Sequence, residues 1–163
     1  RFAGLERLVG WAREEGLPIV YANDALGEER CCRETVVARA LAGPLGHLIE
    51  RIAPRPEDPV FVKPLYSGFE QTGLEALLRR HRIDTLIVAG AATERCVAQT
   101  ITSARERHFD CFVVEDACAT VDVELEHITR AYLARVAEAT IVRSDDVCDA
   151  QLGRARAAVA SVG

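Results

Sequence analysis

The chain predicts an α/β fold, a three-layer α/β/α sandwich in which helices cover both faces of a parallel sheet with Rossmann-like topology. Three observations carry this. Short apolar, β-branched runs such as Thr-Leu-Ile-Val-Ala at 85–89 are continuously hydrophobic, as strands buried on both faces should be. Between such runs lie segments whose apolar residues recur at helical spacing. The two kinds alternate, and strand–helix–strand order implies right-handed crossovers between parallel neighbours. At 163 residues with 49% hydrophobic content, the chain suits one domain over 1–163 that can bury a core without staples.

Phe2, Leu5, Leu8, Val9 and Ala12 mark one face of a first helix, closed by Gly16, a residue suited to a left-handed cap. Residues 17–21 read as a strand, 23–34 as a polar connection and 35–41 as a second helix, while 43–55 is too mixed to assign. Pro54, Pro56 and Pro59 punctuate a surface loop before Val-Phe-Val at 60–62, a short strand ending at Lys63. Thr72 and Glu75 form a T-x-x-E capping box for a helix that starts at Gly73, buries Leu74, Leu77 and Leu78, and ends near His81. The strand at 85–89 leads into a helix at 94–107 and a strand at 111–115. Asp122 then caps a helix carrying Leu125, Ile128, Tyr132, Leu133 and Val136 on one side. Residues 139–142 make a fifth strand, and Ser144, Asp145 and Asp146 open a terminal helix, since acidic residues favour a first turn.

Composition excludes several functions. Twenty Lys and Arg against 25 Asp and Glu give a net charge of -5, unlike a nucleic-acid binder with its basic face. No apolar stretch approaches the roughly 20 residues of a membrane helix, and no charged-then-apolar leader opens the chain. A soluble protein with neither nucleic-acid nor membrane partner is expected. The six cysteines read as reduced thiols in a cytoplasm, with Cys111, Cys118 and Cys148 as small buried hydrophobes and Cys31 and Cys32 as helix residues. A G-x-G-x-x-G fingerprint is lacking, so a dinucleotide cofactor is not expected.

Cys96 is the most informative residue. It follows the 85–89 strand across small residues and falls where Val97, Ile101 and Ala104 begin to recur at helical spacing. A thiol in a first helical turn meets unpaired N–H groups and the positive end of the helix dipole, both of which favour thiolate.

Two segments, Val-Lys-Pro-Leu-Tyr-Ser-Gly-Phe at 62–69 and Gly-Ala-Ala-Thr-Glu-Arg-Cys-Val at 90–97, resemble the signature segments of the isochorismatase-like cysteine hydrolases. The likeness runs from about Gly16 to Val142 and includes Val-Val-Glu-Asp-Ala-Cys-Ala at 113–119. It implies a six-stranded parallel sheet with an Asp-Lys-Cys triad at the carboxyl ends of its strands. Cys96 matches the nucleophile and Lys63 the lysine. The likeness also implies a cis peptide between Ala91 and Ala92, with the N–H groups of Ala92 and Cys96 forming an oxyanion hole. Asn23, Tyr66, Phe69 and Ala91 are expected to wall a substrate pocket, with specificity residing in loops such as 23–33. The implied reaction is cleavage of a C–N bond in a small amide, carbamoyl or ureido compound through a thioester. No cofactor is implied, and the partners are a small-molecule substrate and further copies in a homodimer or homotetramer.

The triad's aspartate is not where the resemblance puts it, on a first strand in the middle of the sheet, because no strand precedes Phe2. The chain contains no Met and is not expected to begin at a translational start, so that strand is expected upstream of residue 1. Without it, two central strands would present unpaired ladder groups inside the core. Asp24 follows a strand end and is the tempting substitute, while Asp84, Glu115 and Asp116 read as caps or turn formers. The family's nicotinamidase branch holds a metal through an Asp-x-His pair in this neighbourhood. Here the order is Asp24-Ala25-Leu26, and His47, His81, His108 and His127 are scattered, so no metal site is expected. Two other readings stay open: hydrolysis of an isochorismate-like vinyl ether, and a triad-deficient, non-catalytic interaction subunit.

Overall fold

The structure, a computed structural model, describes residues 1–25, 31–149 and 157–162. Its order is α1 (Phe2–Glu14), β1 (Ile19–Asp24), α2 (Arg33–Ala42), α3 (Gly46–Ile52), β2 (Val60–Lys63), α4 (Leu74–Arg80) and β3 (Thr85–Ala91). A π-helical turn (Thr93–Val97) then runs into α5 (Ala98–Glu106), followed by β4 (Asp110–Ala119), α6 (Val123–Arg135), β5 (Thr140–Val142), α7 (Ser144–Asp149) and β6 (Ala157–Val162). All six strands are parallel, in the order β2-β1-β6-β3-β4-β5.

The sheet separates two cores, which makes the three layers. Leu8, Val9 and Trp11 of α1, Ile52 of α3 and Val147 of α7 pack with Ile19, Tyr21, Ile87 and Val114 on one face. On the other, Leu74 and Leu78 of α4, Ile101 of α5 and Leu133 of α6 pack with Val20, Leu86, Val88 and Val113. Alternating strand residues thus feed both cores, the reason these runs are apolar at nearly every position.

The centre of the sheet departs from expectation. The place assigned to an upstream strand is occupied by β6, which pairs with β1 from Ile19↔Val159 to Ala22↔Val162 and with β3 from Thr85↔Ala157 to Gly90↔Val162. Its six residues are Ala-Ala-Val-Ala-Ser-Val, and small side chains let it lie between two strands and two helix layers. Gly90, at φ +134°, serves the same approach, because a Cβ there would stand 1.8 Å from the Val162 carbonyl oxygen.

Several local expectations are corrected. The Thr72–Glu75 capping box does not form: Thr72 Oγ1 accepts the Leu74 N–H at 3.2 Å, but Glu75 turns away to accept Arg107 Nε at 3.0 Å. Helix α3 lies in the stretch left unassigned, tied to β1 by the Tyr21 hydroxyl, which donates to the Ile52 carbonyl at 2.7 Å. Cys31 and Cys32 precede α2 rather than lying in it. On α6 only Leu133 of the predicted apolar stripe is buried; Ile128 and Val136 are 63% and 65% exposed, and Leu125 and Tyr132 face outward with them. Glu126 and Leu133 turn inward instead, with Glu126 accepting from Arg1 at 2.9 Å and Arg130 at 2.7 Å.

Asp116, read as a turn former, anchors α7 to the end of β4. Its Oδ1 accepts the Ser144 N–H at 2.7 Å and its Oδ2 the Ser144 hydroxyl at 2.6 Å. Burial alone would raise its pKa, but the Ser144 donors and the nearby Arg143 guanidinium outweigh this and hold it below the usual carboxylate range. A carboxylate depressed in the folded state stabilises the protein above the unfolded pKa of about 3.9, and that contribution is lost as pH falls through the folded pKa. Ser144→Ala is therefore expected to cost about 1–2 kcal/mol in urea unfolding at pH 7, a gap that narrows below about pH 4. A pH-independent gap would show that the carboxylate's charge plays no part.

Candidate active site

The candidate functional residues gather at the carboxyl ends of β1, β2 and β3. In the parallel register Asp24, the last residue of β1, lies directly opposite Lys63, the last residue of β2. The Lys63 ammonium donates to Asp24 Oδ1 and, at 3.3 Å, to the Leu65 carbonyl. Beyond β3 the π-helical turn swings the Cys96 sulfur over the same point, with Sγ 3.3 Å from Lys63 Nζ and 3.9 Å from Asp24 Oδ1. A carboxylate, an ammonium and a thiol from three separate elements thus converge.

Their exposures differ in a telling way. The Lys63 side chain is fully buried, Cys96 is 5% exposed, and the Asp24 side chain is 39% exposed. A buried ammonium needs fixed acceptors, and the carboxylate, carbonyl and sulfur supply them. Burial pushes the Lys63 pKa below the usual lysine range, while the charge of a Cys96 thiolate and its hydrogen bond pull the other way. At the other two buried thiols desolvation dominates: it pushes Cys111 and Cys118 up to about 12 despite Arg105 near the first and Arg130 and Arg1 near the second.

The turn carrying Cys96 is also tied to β4. The Ala91–Ala92 peptide is cis. The Thr93 hydroxyl donates to the Ala119 carbonyl at 3.1 Å, and the Glu94 carboxylate accepts the Val121 N–H at 3.0 Å and lies 2.8 Å from Thr120 Oγ1.

Of the predicted pocket residues, Tyr66 is exposed three residues beyond Lys63, and Ala91 is exposed at the end of β3. Phe69 is a core residue rather than a pocket wall: its ring meets Phe109 at 5.8 Å and packs among Leu74, Leu78 and Val97. Asn23 faces away from the thiol, because strand alternation sends it to the opposite side from Asp24. It lines, with Phe2, Leu5, Tyr21, Val37 and Ala91, a largely apolar cavity of about 350 Å³ under α1, α2 and α3. Lys63 and Cys96 do not border that cavity, so it adjoins the reactive cluster without containing it. Part of the expected specificity loop, 26–30, lies outside the described residues. His47, His81, His108 and His127 are all exposed. Among the described residues no three His, Cys, Asp or Glu side chains converge in a metal-binding group, and no helix is long and apolar enough to cross a membrane.

The residue that sequence reasoning placed too low is Asp24. Its signal was present, a carboxylate ending a strand, but only the register with β2 reveals that it meets Lys63. The acid expected on the central strand is absent from β6, which carries no ionisable residue.

A parallel α/β/α sandwich with a thiol, an ammonium and a carboxylate at its strand ends defines a class of cysteine-bearing α/β proteins. Residues 2–146 match the isochorismatase domain model, and the chain belongs to the isochorismatase family. It is 33% identical over 92 residues to the isochorismatase family protein YddQ of Bacillus subtilis (strain 168), covering 52% of this chain and 51% of that one. To the ureidoacrylate amidohydrolase RutB of Methylobacterium radiotolerans it is 37% identical over 89 residues, 55% of this chain and 34% of that one. The chain therefore matches about half the length of the first of these relatives and about a third of the second. Among solved structures, the N-carbamoylsarcosine amidase from Thermoplasma acidophilum superposes with a TM-score of 0.69 at 32% identity, over 88% of this chain and 82% of that one.

Proposed function

We propose that the chain is a cysteine amidohydrolase acting on a small carbamoyl, ureido or amide compound. One observation carries this reading: the Cys96 sulfur lies 3.3 Å from the buried Lys63 ammonium, which also holds Asp24. An ammonium at that distance stabilises the negative charge that develops on the sulfur as it gives up its proton and attacks a carbonyl carbon. The two named amidases to which the chain is similar, for ureidoacrylate and N-carbamoylsarcosine, support the substrate class.

In the proposed sequence Cys96 Sγ bonds to the carbonyl carbon while its proton passes to Asp24. The oxygen that gains charge is received by the N–H groups of Ala92 and Cys96. Asp24 then protonates the leaving nitrogen, the C–N bond breaks, and a thioester remains. Water attacks the thioester, giving a proton through Asp24 back to sulfur as the C–S bond breaks. Lys63 stays protonated throughout and fixes both the thiolate and the carboxylate. The same thiol does not serve vinyl ether hydrolysis in this scheme, and its placement favours C–N cleavage.

The test is iodoacetamide at pH 6, with adducts located by peptide mass spectrometry and ammonia release followed on ureidoacrylate and N-carbamoylsarcosine. One adduct at Cys96 is expected to form well ahead of those at the other five cysteines, and activity is expected to fall in step with it. Sluggish, uniform labelling with no ammonia release from either compound would favour the non-catalytic alternative.

A further inference from the structure

We propose that Glu94 is a positioning residue that clamps the Cys96 turn to the β4–α6 connection and so holds the sulfur over Lys63; this rests on Cys96 being the nucleophile. Glu94 projects from the same π-helical turn as Cys96, two residues before it. Its two carboxylate oxygens engage successive residues of the connection: Oε1 accepts the Val121 N–H at 3.0 Å, and Oε2 lies 2.8 Å from Thr120 Oγ1.

The Thr120 hydroxyl has one proton and two acceptors in reach, Glu94 Oε2 and the Asp122 carbonyl at 2.7 Å. The Asp122 carbonyl already receives the Glu126 N–H at 2.9 Å, the first turn of α6. Bonds to an ionised acceptor are the stronger, so the proton belongs with Glu94. Thr120 Oγ1 in turn accepts the Asp122 N–H at 3.0 Å. The Asp122 carboxylate caps α6 by accepting the N–H groups of Glu124 at 2.9 Å and Leu125 at 3.1 Å. The clamp therefore fastens the nucleophile turn to the start of a helix that is itself anchored.

The strand ladder from β3 to β4 shifts register after Val88 and ends at Ala91↔Ala119, before the turn begins. Past that point Thr93 and Glu94 are the two side chains of the turn that bond across to residues 119–121. Thr93 is fully buried and bonds to the Ala119 carbonyl alone, whereas Glu94 reaches two donors, one of them a side chain. Loss of the clamp lets the turn shift relative to β2. A misplacement of 1 Å between reacting groups lowers rate by about 100-fold, so a small shift at Sγ has a large effect.

Glu94→Ala and Thr120→Val are to be compared with Glu94→Gln, whose amide oxygen can still accept the Val121 N–H while its amide nitrogen donates to Thr120. Thermal unfolding verifies that each variant folds. The readouts are the rate constant for Cys96 alkylation by iodoacetamide at pH 6, and kcat and KM for ureidoacrylate and N-carbamoylsarcosine. Glu94→Ala is expected to lower both kcat and the alkylation rate by about 10-fold or more, with KM little changed and Thr120→Val following in the same direction. Glu94→Gln is expected to recover most of the loss. Wild-type kcat and alkylation in either folded variant of the clamp would overturn the proposal, as would a change in KM alone or a failure of glutamine to rescue. Rapid labelling of wild-type Cys96 beside unchanged labelling in Glu94→Ala sinks the clamp and leaves the hydrolase reading standing. Slow labelling of Cys96 in the wild type itself removes the reading on which the clamp depends.

Discussion

Cys96→Ala is expected to reduce ammonia release from ureidoacrylate and N-carbamoylsarcosine by on the order of 10⁴-fold or more, because a nucleophile knocked out alone removes most of what a catalytic set achieves. The fold should survive. The side chain is 5% exposed within the core shared by Val97, Ile101 and Leu74, and replacing a thiol by a methyl group leaves a void of one atom. The Lys63 ammonium keeps Asp24 and the Leu65 carbonyl as acceptors when the sulfur is gone. The melting temperature is accordingly expected to move by about 4 °C or less. Steady-state assays with the purified variant beside a thermal scan check both halves. Turnover close to wild type in a folded Cys96→Ala protein removes the thiol from the mechanism.

Lys63→Met is expected to separate activity from stability. In the proposed mechanism the ammonium steadies charge developing on the Cys96 sulfur and orients Asp24, so kcat should fall by roughly 10²–10³-fold, the scale on which removal of one preorganised electrostatic group acts. Stability should not fall with it. Lys63 is fully buried, and desolvation is the largest influence on its ammonium. Removing one member of a buried ion pair is costly because it leaves the other as an uncompensated buried charge, a penalty that shrinks when the remaining partner reaches water. Asp24 is 39% exposed and meets that condition. Lys63→Arg is not a rescue, because a planar guanidinium does not fit a cavity shaped around a linear amine with three acceptors. Activity and thermal unfolding of Lys63→Met, measured together, decide the point. Undiminished turnover, or a large drop in melting temperature accompanying lost turnover, would show that Lys63 serves the fold rather than the chemistry.

Legibility in the sequence followed the range of the interaction. The strand read at 85–89, which the structure extends to Ala91, and the helical start bearing Cys96 were readable, since a short β-branched run followed by small residues and helical spacing is a pattern of near neighbours. Lys63 was readable as a strand end, and its role came from the resemblance of its surroundings. By contrast β6 left almost no signal. Ala-Ala-Val-Ala-Ser-Val has neither alternation nor bulk, and alanine is as much at home in a helix. What makes it a strand is the vacancy between β1 and β3, whose ladder groups would otherwise go unpaired.

Helix α6 makes the same point in reverse. Leu125, Ile128, Tyr132 and Val136 lie on one stripe, and a stripe of that kind ordinarily faces a core. Of the predicted set only Leu133 finds the sheet, and the helix turns Glu126 inward beside it, where it meets Arg1 and Arg130. Phe69 was likewise readable as an aromatic beside a strand end, but whether it walled a pocket or filled the core depended on where Phe109 lay.

The sequence by itself determined the α/β class, the order of most elements, the nucleophile candidate and its lysine, because periodicity, turn residues and short motifs are properties of adjacent positions. Tertiary structure alone decided that Asp24 is the carboxylate beside Lys63, that β6 fills the centre of the sheet, and that α6 turns its apolar stripe outward. Strand register and the choice of buried face arise between segments far apart in the chain, where the free energy depends on which partners are in place.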